Sequence, residues 1–196
     1  MSESERLMVV DEAGHPLYTA TRQDVHTQGL WHETFHCFVI DSIKQQVVLQ
    51  QRADQKKDFP GMLDITAAGH LLAGESVADG VRELEEEIGL VKSFEELYGL
   101  GVYQEELCLP GFIDRERIHL FLTDSAKPLT GYSLQTTEVR RLLAFSFAEF
   151  ARLAEKEETA VLTTVEGETI PRNQFVPHPT DYWKTVYAGI KAYCER

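Results

Sequence analysis

The chain has 196 residues, 43% of them apolar and 26% charged, with 32 acidic against 19 basic side chains and a formal net charge of −13. That length suits one domain with a buried core, and no apolar run approaches the roughly 18 residues that cross a bilayer. So acidic a chain is not expected to bind a nucleic-acid polymer or an anionic membrane, both of which call for a basic face. In chain order, the polar start lacks the basic and apolar regions of a secretion signal. Arg6–Val10 and Pro16–Ala20 are predicted strands around the turn residues Asp11–Gly14, a hairpin within an N-terminal appendage over residues 1–30 of a single domain 1–196. Trp31–Ile40 and Gln46–Gln51 follow as strands, then a charged loop from Arg52 to Gly61, a brief strand Leu63–Ala68 and a loop Gly69–Gly74. Val77–Ile88 is predicted to be one helix ended by Gly89. Tyr98–Glu106 and Arg117–Thr123 are strands separated by a loop with Pro110-Gly111, and Val139–Phe145 is another strand. Phe147–Lys156 and Asp181–Tyr193 are predicted helices, the second with Tyr182, Val186, Tyr187 and Ile190 on one side. Cys37, Cys108 and Cys194 form no C-x-x-C pair, which argues against a disulfide framework or structural zinc and for a reducing cytoplasm. The pattern is α/β, a mixed sheet covered by helices.

The segment with chemistry in it is GHLLAGESVADGVRELEEEIGL, residues 69–90. At about 100° per residue, Val77, Val81, Leu84 and Ile88 share one side, and Glu83, Glu86 and Glu87 share nearly the opposite one, at i, i+3 and i+4. Like charges at that spacing cost only about 0.2–0.5 kcal/mol, so by themselves they read as solvated charge. The surrounding residues change that reading. Gly69, Glu75, Arg82, Glu83, Leu84, Glu86, Glu87, Gly89 and Leu90 resemble the Nudix box, G-x5-E-x7-R-E-U-x-E-E-x-G-U with U a bulky aliphatic. One departure stands out: six residues, not seven, separate Glu75 from Arg82, which puts the placement of Gly69 and Glu75 in question. The resemblance implies the Nudix α/β/α sandwich, with a mixed central sheet and the box as loop–helix–loop. It implies Mg²⁺, with Mn²⁺ as a substitute, held by Glu83, Glu86, Glu87 and the carbonyl of Gly69. Glu83 and Glu87 are then the catalytic residues, Glu83 being the first choice of base. Arg82 is implied to pair with a box carboxylate.

Outside the box, residues 50–61 resemble the strand and loop that precede it in Nudix proteins close to isopentenyl-diphosphate isomerase. There an Arg and a Lys four residues later contact the diphosphate, and Arg52 and Lys56 stand at that spacing. Guanidinium and ammonium groups suit phosphate oxygens. The isomerase has a catalytic cysteine just before the His of the box; here Thr66, Ala67 and Ala68 precede Gly69-His70. It also uses a Glu-x-Glu in a later strand, where this chain reads Arg115-Glu116-Arg117. The expected activity is therefore Mg²⁺-dependent hydrolysis of a phosphoanhydride in a nucleoside diphosphate linked to another moiety, or in another small organic diphosphate. Isopentenyl-diphosphate-type isomerisation and a catalytically idle nucleotide-binding module are the alternatives. The expected partner is a small diphosphate substrate, with a homodimer as the family guess. Trp31, His32 and His36 read as packing residues, Glu105, Glu106, Glu116 and Glu138 as surface acids, and His178 as a loop residue.

Overall fold

Two long strands at the centre of the sheet set its mixed character. Trp31–Asp41 (β3) and Phe112–Asp124 (β8) run parallel, from Trp31 opposite Arg115 to Ile40 opposite Asp124. The other pairings of that sheet are antiparallel. The computed structural model describes residues 4–109, 112–155 and 160–196. The expected loop at Pro110-Gly111 and the expected helix end at Lys156 lie outside the described residues. The hairpin Arg6–Val10 (β1) and Pro16–Thr21 (β2) joins the sheet through Val9 opposite His32. Gln46–Arg52 (β4) lies antiparallel to β3, and Leu63–Asp64 (β5) and Val139–Ser146 (β9) pair with β4. Ala67–His70 (β6) pairs with β3, and Tyr98–Leu109 (β7) with β8.

Alternation along β3 divides the core in two, because successive side chains point to opposite faces of a strand. Phe35, Cys37 and Val39 pack on Leu84 and Ile88 of helix Arg82–Ile88 (α2). Phe38 and Ile40 pack on the other face, against Phe150 of Phe147–Ala151 (α3) and Trp183, Val186 and Ile190 of Thr180–Cys194 (α4). The sheet thus lies between helical layers, an α/β/α sandwich. The apolar stripe expected on the last helix is buried at Tyr182, Val186 and Ile190.

Three elements differ from expectation for physical reasons. The strand expected over Leu63–Ala68 is cut in two where the chain changes partner from β4 to β3. At the break the Thr66 hydroxyl accepts a hydrogen bond from the Val39 amide at 2.9 Å, standing in for a ladder carbonyl. Gly69 and His70, expected in a loop, belong to β6. The helix expected over Val77–Ile88 opens with a 3₁₀ turn, Val77–Val81, and only Arg82–Ile88 is α-helical. Gly80 lets that turn press on the sheet, since a Cβ there would lie 2.6 Å from Phe35. Helix Arg22–Gln28 (α1) was not anticipated, because its sequence RQDVHTQ has no apolar period and buries only Val25 and His26. A small hairpin, Val161–Thr163 (β10) with Thr169–Pro171 (β11), forms a separate sheet.

Candidate active site

Helix α2 packs against β6, and that contact decides the environment of the box carboxylates. Glu83 and Glu87, expected on a solvated side, are only 5% and 4% exposed, whereas the Glu86 side chain is 55% exposed. One oxygen of Glu87 accepts from the Ala68 amide and from Gln50 Nε2, each at 3.1 Å. Glu83 lies over the bare Cα of Gly69, where a Cβ would stand 2.1 Å from Glu83 Oε1. Gly69 therefore has a role the spacing did not reveal: it makes room for a carboxylate. Arg82 gathers the rest. Its Nε donates to Glu75 Oε1 at 3.0 Å, its Nη2 to Glu75 Oε2 and to the His70 carbonyl at 3.1 Å, and its Nη1 to Glu83 and Glu86. The box is one residue short, yet Glu75 still reaches Arg82.

These side chains face a cavity of about 400 Å³ lined by Glu5, Glu75, Glu83, Glu86, Glu87 and Glu138, with Arg82 the one Arg or Lys among its described lining residues. Burial raises the Glu83 carboxyl to about 7, and Glu86 and Glu75 add to the shift while Arg82 opposes it. Burial and the neighbouring Glu83 charge raise Glu87 to about 8. Packing two carboxylates out of water is costly unless a cation compensates them. A set of hard oxygen donors beside a cavity, in excess of its one guanidinium, suits a divalent ion such as Mg²⁺.

Arg52 and Lys56 are placed differently. Lys56 is ion-paired with Glu138, on the wall of the acidic cavity. Arg52 lines a neighbouring cavity of about 80 Å³, which shares His70 with the first. Its Nη1 donates to Asp64 Oδ2 at 2.8 Å, and its Nε and Nη2 to the Asp58 carbonyl at 3.1 and 3.0 Å. Arg22 Nη2 reaches the Asp58 carboxylate at 3.1 Å, so the loop after β4 is pinned between two arginines.

Beside this cavity, and lining it at His70, Asp114 and Glu116, stand groups that sequence reading treated as packing or surface residues, or passed over. His26, His32 and His70 offer nitrogens within 4.8 Å of one another, as do His32, Asp114 and Glu116 with their ligand atoms. The Nδ1 atoms of His26 and His32 bond the Arg22 and Leu30 carbonyls at 2.8 and 3.1 Å, which turns each Nε2 toward the cluster. Neither Nε2, nor either nitrogen of His70, has a hydrogen-bond partner among the described residues. Burial holds His32 and His70 below the usual imidazole range, which favours the neutral ring. This cluster could hold a metal ion. It also corrects the reading of the later strand: Asp114 and Glu116 alternate onto one face of β8, so an acid-x-acid pair is present. Glu105, 3% exposed, and Glu116, with its side chain 15% exposed, are not surface acids. Glu106 is on the surface, paired with Arg115.

The model of the NUDIX domain matches residues 30–169. The chain belongs to the Nudix family. It is 34% identical to an uncharacterized Nudix hydrolase of Clostridium acetobutylicum over 201 residues, covering 96% of this chain and 98% of the relative. It is 30% identical to an isopentenyl-diphosphate Delta-isomerase of Serratia proteamaculans over 145 residues, covering 70% of this chain and 79% of that one. The MutT protein of Methanosarcina mazei shares the fold, with a TM-score of 0.56 and 14% identity over 85% of this chain and 96% of that one. Among the described residues, no helix of this Nudix protein is long and apolar enough to cross a membrane.

Proposed function

We propose that this Nudix protein is a Mg²⁺-dependent hydrolase of a phosphoanhydride bond, acting on a nucleoside diphosphate linked to another moiety or on another small organic diphosphate. The observation that carries this reading is the convergence of Glu83, Glu86 and Glu87 on one acidic cavity, two of them buried. Glu83, Glu86, Glu87 and the carbonyl of Gly69 would hold the cation, with Mn²⁺ as a substitute. A bound divalent ion neutralises phosphate charge and acidifies a coordinated water. Glu83 is assigned as the base that accepts the proton of the attacking water, and Glu87 as its catalytic partner, fixed by Gln50 and the Ala68 amide. Arg82 orients Glu75, Glu83 and Glu86. Arg52 and Lys56 are assigned to the substrate's phosphates, Arg52 through the N–H groups that Asp58 and Asp64 leave over.

A panel of nucleotide sugars, dinucleoside polyphosphates, coenzymes and isoprenoid diphosphates, run with Mg²⁺ and again with chelator, tests this. Release of phosphate or nucleotide that stops with chelator is the expected result. A panel without turnover would leave the idle binding module as the better account.

A second reading, isomerisation of an isopentenyl-type diphosphate, is favoured by the imidazole–carboxylate cluster of His26, His32, His70, Asp114 and Glu116. It is disfavoured by Ala68, which has no proton to exchange with an allylic carbon. Cys37 offers no substitute: it packs with Phe35 and Leu84 on the α2 side of the sheet, where burial raises its thiol well above the usual range. Double-bond migration without phosphate release would decide for isomerisation.

A further inference from the structure

A buried chain of alternating charge links Arg52 to the segment that enters α4. Arg52 Nη1 donates to Asp64 Oδ2 at 2.8 Å, Asp64 Oδ1 lies 3.1 Å from His178 Nε2, and His178 Nδ1 lies 2.9 Å from both oxygens of Glu105. Asp64, Glu105 and His178 are 5%, 3% and 9% exposed. The imidazole is held on its faces as well as its edges. It stacks on Tyr182 with ring centroids 4.5 Å apart and meets Trp183 edge-on at 5.4 Å. Its backbone is tied to β5 through the Val176 amide, which donates to the Leu63 carbonyl at 2.8 Å. His178 lies beyond the 30–169 stretch that the family model matches.

Burial alone would strip the proton from this imidazole, but Glu105 and Asp64 outweigh it and raise His178 to about 10. The other polar groups facing this region are Arg52, Glu116, the Tyr182 hydroxyl and His36, which burial and the His178 charge lower to about 3. Burial opposes ionisation of Asp64, yet the His178 hydrogen bond and the Arg52 charge hold it well below the usual carboxylate range. Positive and negative groups thus alternate from Arg52 to Glu105. Removing one member leaves a buried charge uncompensated, and the neighbours must move or change protonation.

We propose that His178 is a positioning residue of the phosphate subsite: with Asp64 and Glu105 it fixes the Arg52 guanidinium at the second cavity, and it acts on a bound anion only through Arg52. This rests on the assignment of Arg52 to the substrate's phosphates. Three of the five guanidinium N–H groups are used by Asp58 and Asp64. The direction of the rest follows from where Asp64 sits, and Asp64 sits where His178 and the Ile65 amide hold it.

The test is a double-mutant cycle in the full chain, read as the affinity for inorganic pyrophosphate with Mg²⁺ by titration calorimetry. Arg52→Ala and His178→Gln are each expected to weaken binding about tenfold, the size of one charge-assisted hydrogen bond. The double variant should bind no more weakly than Arg52→Ala alone. A double loss equal to the product of the single losses would overturn the positioning role. So would unchanged binding in His178→Gln while Arg52→Ala is weakened, an outcome that leaves the Arg52 assignment standing. Unchanged binding in Arg52→Ala would remove that assignment, and with it the role of His178. Should His178→Gln fail to fold, nitrogen NMR of the unmodified protein decides. Both ring nitrogens of His178 should carry protons at pH 8, and Asp64→Asn should remove one of them. A neutral His178 ring at pH 8 would sink the proposal.

Discussion

Two cavities meet across β6, and they handle buried charge in opposite ways. On the α2 side, Glu83 and Glu87 are buried with Arg82 shared among Glu75, Glu83 and Glu86, so negative charge is in excess. On the other side, Arg52, Asp64, His178 and Glu105 alternate in sign and satisfy one another. An excess of buried carboxylate calls for a cation from outside the chain, whereas a compensated network calls for nothing and serves to hold a group still. The contrast agrees with the metal role proposed for the first cavity and with the positioning role proposed for the Arg52–Glu105 network beside the second.

The most direct way to break this comparison is to neutralise the excess. Glu83→Gln and Glu87→Gln should each lower turnover by at least about a hundredfold, the scale of a lost general base. Initial rates on any substrate from the panel would show it, and retention of activity in both would defeat the assigned roles. The same excess predicts stabilisation by the ion. At about a hundred times its dissociation constant, Mg²⁺ should add about 2.7 kcal/mol to the folded state. Thermal scans with Mg²⁺ and with chelator should show the gap in the unaltered chain and lose most of it in Glu87→Gln. An equal gap in both would place the ion elsewhere, for instance among His26, His32 and His70.

Gly69→Ala sharpens the comparison by moving a carboxylate without removing it. The added Cβ would stand 2.1 Å from Glu83 Oε1, the far end of a flexible side chain that can swing aside. Stability should change little, while turnover falls about tenfold because 1 Å of misplacement is expensive in catalysis. A large drop in thermal midpoint with turnover unchanged would mean that Glu83 does not need this position.

How much of this could be read from the sequence depends on whether partners are local. Glu83, Glu86 and Glu87 lie within one helical turn, so spacing alone put them together, and the stripe of α4 was legible for the same reason. The division of labour among the three was not legible, since the burial of Glu83 and Glu87 depends on β6 lying against α2. Strand centres were read well at β1, β3 and β4, where apolar runs are long. The break at Ile65-Thr66 was not, because it is made by a hydroxyl replacing a carbonyl across strands. His178 is separated by 114 residues from Asp64 and by 73 from Glu105. No periodicity connects them, and its place between two prolines suggested only a loop. Asp114 escaped notice because two arginines in Arg115-Glu116-Arg117 masked the alternation of Asp114 with Glu116 on β8.

The smallest expected effect concerns the compensated network and is a slope, not a loss. His178 has an ordinary value of 6.5 and is raised to about 10 in the folded chain by Glu105 and Asp64, against the pull of burial. A group raised on folding binds its proton more tightly in the native state, so its contribution is full below pH 6.5 and is lost as pH climbs through about 10. The stability difference between the unaltered chain and His178→Gln should therefore be level between about pH 5 and 6 and shrink across pH 7 to 10. The slope for one proton is at most about 1.4 kcal/mol per pH unit. Urea unfolding at pH steps measures it, and taking the difference cancels the carboxylates that do not touch His178. A difference that is level across pH 7 to 10 would mean a neutral imidazole, and Asp64 would then lack the cation that keeps it bonded to Arg52. In Glu105→Gln the window should move down, because the larger of the two charges that favour the proton is gone while Asp64 remains. A window that stays in place would show that Asp64 alone sets the charge of His178, and would shorten the network by one member.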